Sequence, residues 1–137
     1  MINLSKGKKL NILKKPAPFL KKKIQTGIIH IQSTRNNTIL TLTDERGNTK
    51  SWISSGVIGF RNARKSTTYA AQAAAEKMAN LALKLGFSCI SIKMKGIGQG
   101  KENSIRALYK SGLIITKLED RTSIPHNGCR SPKKRRI

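Results

Sequence analysis

Carboxylates are the scarcest chemistry in this chain. Of 137 residues only six are Asp or Glu, against 28 Lys and Arg, a formal net charge of +22. A chain so unbalanced repels itself unless a polyanion neutralises it. Aromatic residues are nearly as rare, at 4%, which argues against a protein that works by stacking bases along a sheet or groove. The two cysteines, Cys89 and Cys129, are too few for a disulfide framework, and nothing resembles a secretory signal. A reducing or organellar compartment is expected. No apolar run reaches the length of a bilayer span, and no amphipathic basic helix carries large apolar anchors for a membrane surface. Hydrophobic residues total 37%, low for a compact domain, so part of the chain is expected to be tail. The partner these absences point to is nucleic acid, read as backbone phosphate and shape.

What is present divides into three parts. Residues 1–24 form a basic arm: eight lysines and no acid lie before residue 24, and Pro16 and Pro18 break any helix there. The arm is poor in Arg and Ser, unlike a transit peptide, and is expected to order on binding. Residues 25–121 are expected to form an α/β RNA-binding domain, and 122–137 a basic tail.

Within the domain, hydrophobic alternation places strands at Gly27–Thr34, around Ile39 to Leu42, and at Thr49–Ser54 with Trp52 inside it. Arg35, Asn36 and Asn37 form the first turn, where Asn tolerates left-handed dihedrals, and Glu45 to Asn48 form the second. A loop runs from Ser54 to Lys65. Ser66 or Thr67 then caps a helix reaching about Leu85, with Gly86 as its stop. Ala71, Ala74, Met78, Leu81 and Leu85 fall on one face of it. A fourth strand, Cys89–Met94, leads through Gly96, Gly98 and Gly100 into a helix, Lys101–Lys110, with Ile105 and Leu108 as its buried stripe. Leu113–Leu118 is the fifth strand. The order β-β-β-α-β-α-β predicts an α/β fold: a five-stranded mixed sheet with helices packed on it, in a ribonuclease H-like arrangement, its first three strands an antiparallel meander.

Two loops lead into helix starts, where unpaired N–H groups and the positive dipole end favour anions. In the first, Gly96-x-Gly98-x-Gly100-Lys101 departs from the dinucleotide fingerprint and is shorter than the phosphate loop of nucleotide hydrolases. A nucleotide cofactor is therefore not expected, and a plain tight turn competes with a nucleic-acid phosphate clamp flanked by Lys93, Lys95 and Lys101. In the second, Gly56, Gly59, Phe60, Arg61, Arg64 and Lys65 precede Ser66 and Thr67. If both loops leave one end of the sheet, they make one basic face.

A ribonuclease H-like outline raises the possibility of a nuclease, but two-metal cleavage needs clustered carboxylates. The first strand has none, and the six acids are scattered over turns, helices and a strand end. His126-x-x-Cys129 has the spacing of half a zinc site, yet the other half would have to come from strand interiors. Neither a catalytic nor a metal site is expected. Asn127-Gly128 is an Asn-Gly step, whose unhindered glycine nitrogen can attack the side chain and yield isoaspartate. Peptide mapping of aged protein that finds only asparagine there would remove that expectation.

Gly27-Ile28-Ile29-His30-Ile31, Asn36-Asn37-Thr38, Gly59-Phe60-Arg61, Arg64-Lys65-Ser66-Thr67, Ala70-Ala71-Gln72, Lys95-Gly96 to Glu102 and Pro125-His126-Asn127-Gly128-Cys129-Arg130 are together specific. Over residues 27–137 the chain resembles the bacterial-type small-subunit ribosomal protein eleven family. The resemblance implies a structural protein of the small-subunit platform, binding small-subunit ribosomal RNA beside neighbouring platform proteins, with no membrane and no small-molecule substrate. The residues expected at RNA are those of the two loops, the Arg35–Asn37 turn, Trp52, Ser54, Arg106, and His126, Asn127, Gly128, Arg130, Lys133, Lys134, Arg135 and Arg136 of the tail. The family usually has proline at the positions of Ile97 and Ser131. Lacking the first, the glycine loop is expected to be looser while keeping its N–H donors. The Lys-, Ile- and Asn-rich composition suggests an organellar version, mitochondrial before plastid.

Overall fold

The computed structural model describes residues 25–130, 132 and 133; the lysine arm, and Lys134, Arg135 and Arg136 of the tail, lie outside them. The elements are β1 (Gln25–Ser33), β2 (Thr38–Asp44), β3 (Thr49–Ser54), a 3-10 turn (Asn62–Ser66), α1 (Thr68–Lys84), β4 (Phe87–Lys95), α2 (Gly100–Lys110) and β5 (Ile114–Asp120). They form one sheet in the order β3-β2-β1-β4-β5. β1 to β3 are an antiparallel meander, and β4 and β5 add in parallel to β1. The five-stranded mixed sheet is the one expected from the alternation of the sequence.

Side chains alternate across a strand, and here the alternation separates a covered face from an open one. Ile29 and Ile31 of β1, Leu40 and Leu42 of β2, Ile53 of β3, and Ile90 and Ile92 of β4 are buried under the helices. α1 owes its close approach to alanine: Ala70, Ala71, Ala74, Ala75, Ala79 and Ala82 are buried along with Met78. Small residues also let α2 lie against α1, where Ser104 Oγ donates to the Ala71 carbonyl at 3.4 Å. With both helices on one face, the other face of the sheet is left open.

Several boundaries and details differ from expectation. β1 starts at Gln25 and β4 at Phe87, because pairing of Gln25 with Phe87 extends both strands past their alternating cores, and β1 ends at Ser33 because Thr34 closes the turn with Asn37. β2 likewise runs to Asp44, two residues past Leu42, and β5 begins at Ile114, after the buried Leu113. Leu85 is exposed, since α1 ends at Lys84 and the chain turns at Gly86 (φ 90°) before Leu85 can face the core. Ile105 is only partly buried; Ser104, Ala107 and Leu108 form the inward stripe of α2. Neither Asn36 nor Asn37 has a left-handed backbone. Their turn is closed by hydrogen bonds: Thr34 N donates to the Asn37 carbonyl at 2.9 Å, and Asn37 N to Thr34 Oγ1 at 3.1 Å.

Candidate nucleic-acid interface

Because β1, β3, β4 and β5 run the same way, their C-terminal ends share one edge of the sheet. The Arg35 turn, the loop after Ser54 and the glycine loop all leave from that edge. Arg35, Ser66, Ile97, Gly98 and Gln99 line one cleft of about 350 Å³ there. The edge thus joins the two loops on a single side.

The stretch from Ser55 to Thr67 contains structure of its own. Ser55 N donates to the Thr38 carbonyl at 3.1 Å and Phe60 N to the Ser55 carbonyl at 3.2 Å, which folds the loop back on β2. Gly59 (φ 115°) and Asn62 (φ 49°) take the left-handed backbone that this reversal requires. The Phe60 ring stands edge-on to Tyr69 at 5.9 Å, pinning the loop to α1. A 3-10 turn follows, with Arg64 and Lys65 near its carbonyl end, where cations are favoured. Thr67 caps α1 by accepting from Ala70 N at 3.2 Å, and Ser66 Oγ donates to the Ala63 carbonyl at 2.7 Å. Arg61 and Arg64 are exposed, while Lys65 lays its stem near Gly56 and is half-buried.

The glycine loop makes its close approach to its own chain. A Cβ at Gly96 (φ 107°) would strike the Ser33 carbonyl, at Gly98 the Ser33 hydroxyl and Thr34 carbonyl, and at Gly100 the Thr38 hydroxyl. Two of the loop's N–H donors are engaged: Gly98 N donates to the Ser33 carbonyl at 3.1 Å and Gly96 N to Thr122 Oγ1 at 3.2 Å. Gly98 and Gly100 are buried, so neither offers a surface for RNA. These two donors are taken by the chain itself because the loop is docked against the β1–β2 turn.

The edge's cations separate into two groups. Lys101 pairs with Asp120 at 3.1 Å and Arg106 with Glu102 at 3.5 Å. The hydroxyl and N–H of Thr122 and then Lys101 hold the Asp120 carboxyl down at about 2. Arg35, Arg61, Arg64, Lys65 and Lys95 enter no ion pair among the described residues. Asn36 is exposed beside them. Ser54 is buried and its carbonyl accepts from Val57 N, and Asn37 closes its turn, so both serve the fold. Trp52 lies elsewhere, 59% exposed on the open face of the sheet. Sequence reading missed Thr122, which ties the tail to the glycine loop; a lone threonine after a strand carries no signal.

In the tail, His126, Asn127, Gly128, Arg130 and Lys133 are exposed and outside helix and strand, and Asn127 has a left-handed backbone (φ 53°). Among the described residues no three of His, Cys, Asp and Glu stand where they could share a metal ion, and no helix is long and apolar enough to cross a membrane.

Five cations on one edge with no ion pair among the described residues give this basic α/β protein a surface that suits a polyanion. Comparison with known proteins narrows the class. A family model described as "Ribosomal protein S11" matches residues 27–136, and the chain belongs to that family. It is 54% identical over 119 residues to "Small ribosomal subunit protein uS11m" of Prototheca wickerhamii, covering 87% of this chain and 91% of that one. It is 59% identical over 105 residues to the protein of the same name from Marchantia polymorpha, covering 77% and 84%.

Proposed function

We propose that the protein is a structural component of the small subunit of a mitochondrial ribosome, where its loop edge grips the backbone of folded small-subunit ribosomal RNA. The observation that carries the reading is the group of five cations at that edge with no ion-pair partner among the described residues. The mitochondrial placement is supported by the name uS11m borne by both relatives.

Arg35, Arg61, Arg64, Lys65 and Lys95 meet phosphates. The arginines take them bidentately and the lysines as point charges. Asn36 and the hydroxyl of Ser66 take sugar 2′-OH groups, the feature that marks RNA. The tail, from His126 through Arg130 and Lys133 to Lys134, Arg135 and Arg136, and the lysine arm extend the grip along the RNA. Neighbouring platform proteins take exposed surface away from the loop edge and the open face of the sheet. The role is structural and involves no catalysis. Of the described carboxylates, Asp44 and Glu45 lie at the opposite edge of the sheet, Glu76 and Glu102 on separate helices, and the adjacent Glu119 and Asp120 are tied to Lys117, Arg121 and Lys101.

Sedimentation of the full-length protein through a gradient with organelle lysate tests this reading. Co-migration with small subunits at low salt, released at high salt, is expected. Protein that stays at the top of the gradient at low salt overturns it.

A further inference from the structure

The open face of the sheet is as organised as the loop edge, and the phosphate grip leaves it unused. Strand register sets Trp52 beside Thr41, Thr41 beside His30, His30 beside Lys93 and Lys93 beside Glu119, one residue from each strand in a row across the sheet. Trp52, Thr41, His30 and Lys93 lie on the side away from the helices, since Ile53, Leu40 and Leu42, Ile29 and Ile31, and Ile92 beside them point into the core, and the pairing of Lys93 with Glu119 sets Glu119 on the same side.

The chemistry of the row changes from end to end. At β3 stands Trp52, 59% exposed, and the only ring pair among the described residues is Phe60 with Tyr69. At β4 stands Lys93, which enters no ion pair among the described residues. Beyond it Glu119 is held by Lys117 at 2.5 Å and Arg121 at 2.8 Å, so the one acid of the row is already neutralised. Thr41 and His30 stand between Trp52 and Lys93 in the row, with the buried Thr43 3.4 Å from His30 Nε2, and on the far side of Lys93 Ser91 lies 3.2 Å from Thr116. Three strand spacings, roughly 14 Å, separate the aromatic from the cation.

We propose that this face binds a short unpaired stretch of RNA, with one base stacked on Trp52 and the following backbone crossing the strands to Lys93. The charge favours RNA over a protein partner, because the row presents an unmatched cation and no unmatched acid. Within the row the two residues between Trp52 and Lys93, Thr41 and His30, are polar, unlike the apolar centre of a protein interface. Low aromatic content limits the stacking to a single base; it does not remove the one exposed indole. The proposal rests on the RNA-binding reading above and adds a second surface with a different preference. The loop edge takes folded backbone, and the open face takes a splayed nucleotide.

Trp52 is the only tryptophan of the chain, so its fluorescence reports on the site directly. The test titrates the full-length protein with a single-stranded oligouridylate and, separately, with a short RNA duplex. The single strand is expected to quench the emission saturably, and the duplex to bind without comparable quenching. Trp52→Ala is expected to weaken single-strand binding about tenfold, within the range of base–aromatic stacking. Duplex affinity should stay unchanged, and Trp52→Phe should restore part of the loss. Arg61→Ala with Arg64→Ala should do the reverse, weakening the duplex and leaving the quench.

Duplex binding with no single-strand quench, or equal quenching by both RNAs, overturns the open-face proposal and leaves the loop edge standing. Loss of all RNA binding in the unaltered protein removes both. If single strands leave Trp52 open to acrylamide while assembled small subunits shield it, a protein covers the face and the proposal fails.

Discussion

The two edges of the sheet carry similar materials, turns with glycine and clusters of charge, and use them in opposite ways. At the edge holding the β2–β3 turn, both carboxylates are engaged within the chain and a single cation, Arg46, is left over: Lys50 meets Asp44 at 2.9 Å, and Thr26 donates to Glu45. Gly47 there has φ 89° with open space around it, so its glycine serves backbone conformation alone. At the loop edge the glycines serve packing, with Gly96, Gly98 and Gly100 pressed against Ser33, Thr34 and Thr38. Five cations are left without ion pairs among the described residues. The difference teaches that the loop edge is rigid underneath and unneutralised on top. A docked loop holds its cations in fixed positions for a partner at less entropic cost than a mobile one.

The sharpest way to break this comparison is to add one methyl group at each edge. Gly96→Ala must both force a side chain into the left-handed region and collide with the Ser33 carbonyl. The first costs about 1–2 kcal/mol, and overpacking adds about 1–3 kcal/mol. Gly47→Ala carries only the first cost, so urea denaturation should show Gly96→Ala clearly the less stable. Equal losses would mean that the glycine loop is not docked.

Next in size is Thr67→Ala, which removes the cap of α1 at the loop edge and should cost about 1 kcal/mol, read as a lower thermal midpoint. Lys50→Ala at the other edge removes an exposed pair and should cost under about 1 kcal/mol. The smallest effect lies between the edges. Burial first, then Lys93 and Arg121, lower the pKa of His30 from its ordinary 6.5. The unfolded chain takes up this proton near pH 6.5 and the folded chain only at lower pH. Stability is therefore full above that value and falls as pH drops through it. His30→Gln should flatten that slope; an unchanged slope would assign it to other groups.

Much of this was legible in the sequence, for physical reasons that vary with the element. Alternation over Ile29 and Ile31 and over Leu40 and Leu42 marks strands because one face is buried, and Gly86 marks a helix end because it adopts positive φ. The strand order follows from three hairpin-linked strands and two crossovers. The use of the glycine loop was not legible. Glycine permits close approach, but a sequence does not say whether a ligand or the chain's own hairpin approaches, and here it is Ser33. Asn37 and Ser54 read as contact residues because polar turn residues look alike whether they face outward or close the turn. The pairing of Lys101 with Asp120, 19 positions apart, required the parallel β4–β5 register to become visible.

The central claim is that the loop edge, and not net charge alone, binds folded ribosomal RNA. Its most direct test is the salt dependence of that binding for three proteins: the unaltered chain, Arg61→Ala with Arg64→Ala, and Arg46→Ala with Lys50→Ala. Affinity should fall steeply with salt for the first. For the loop-edge pair the log–log slope should be shallower by about 1.5 units, two phosphates at roughly 0.7–0.9 each. For the opposite-edge pair the slope should be unchanged. Equal slopes for the two double variants would contradict the account, since charge would then act without regard to position.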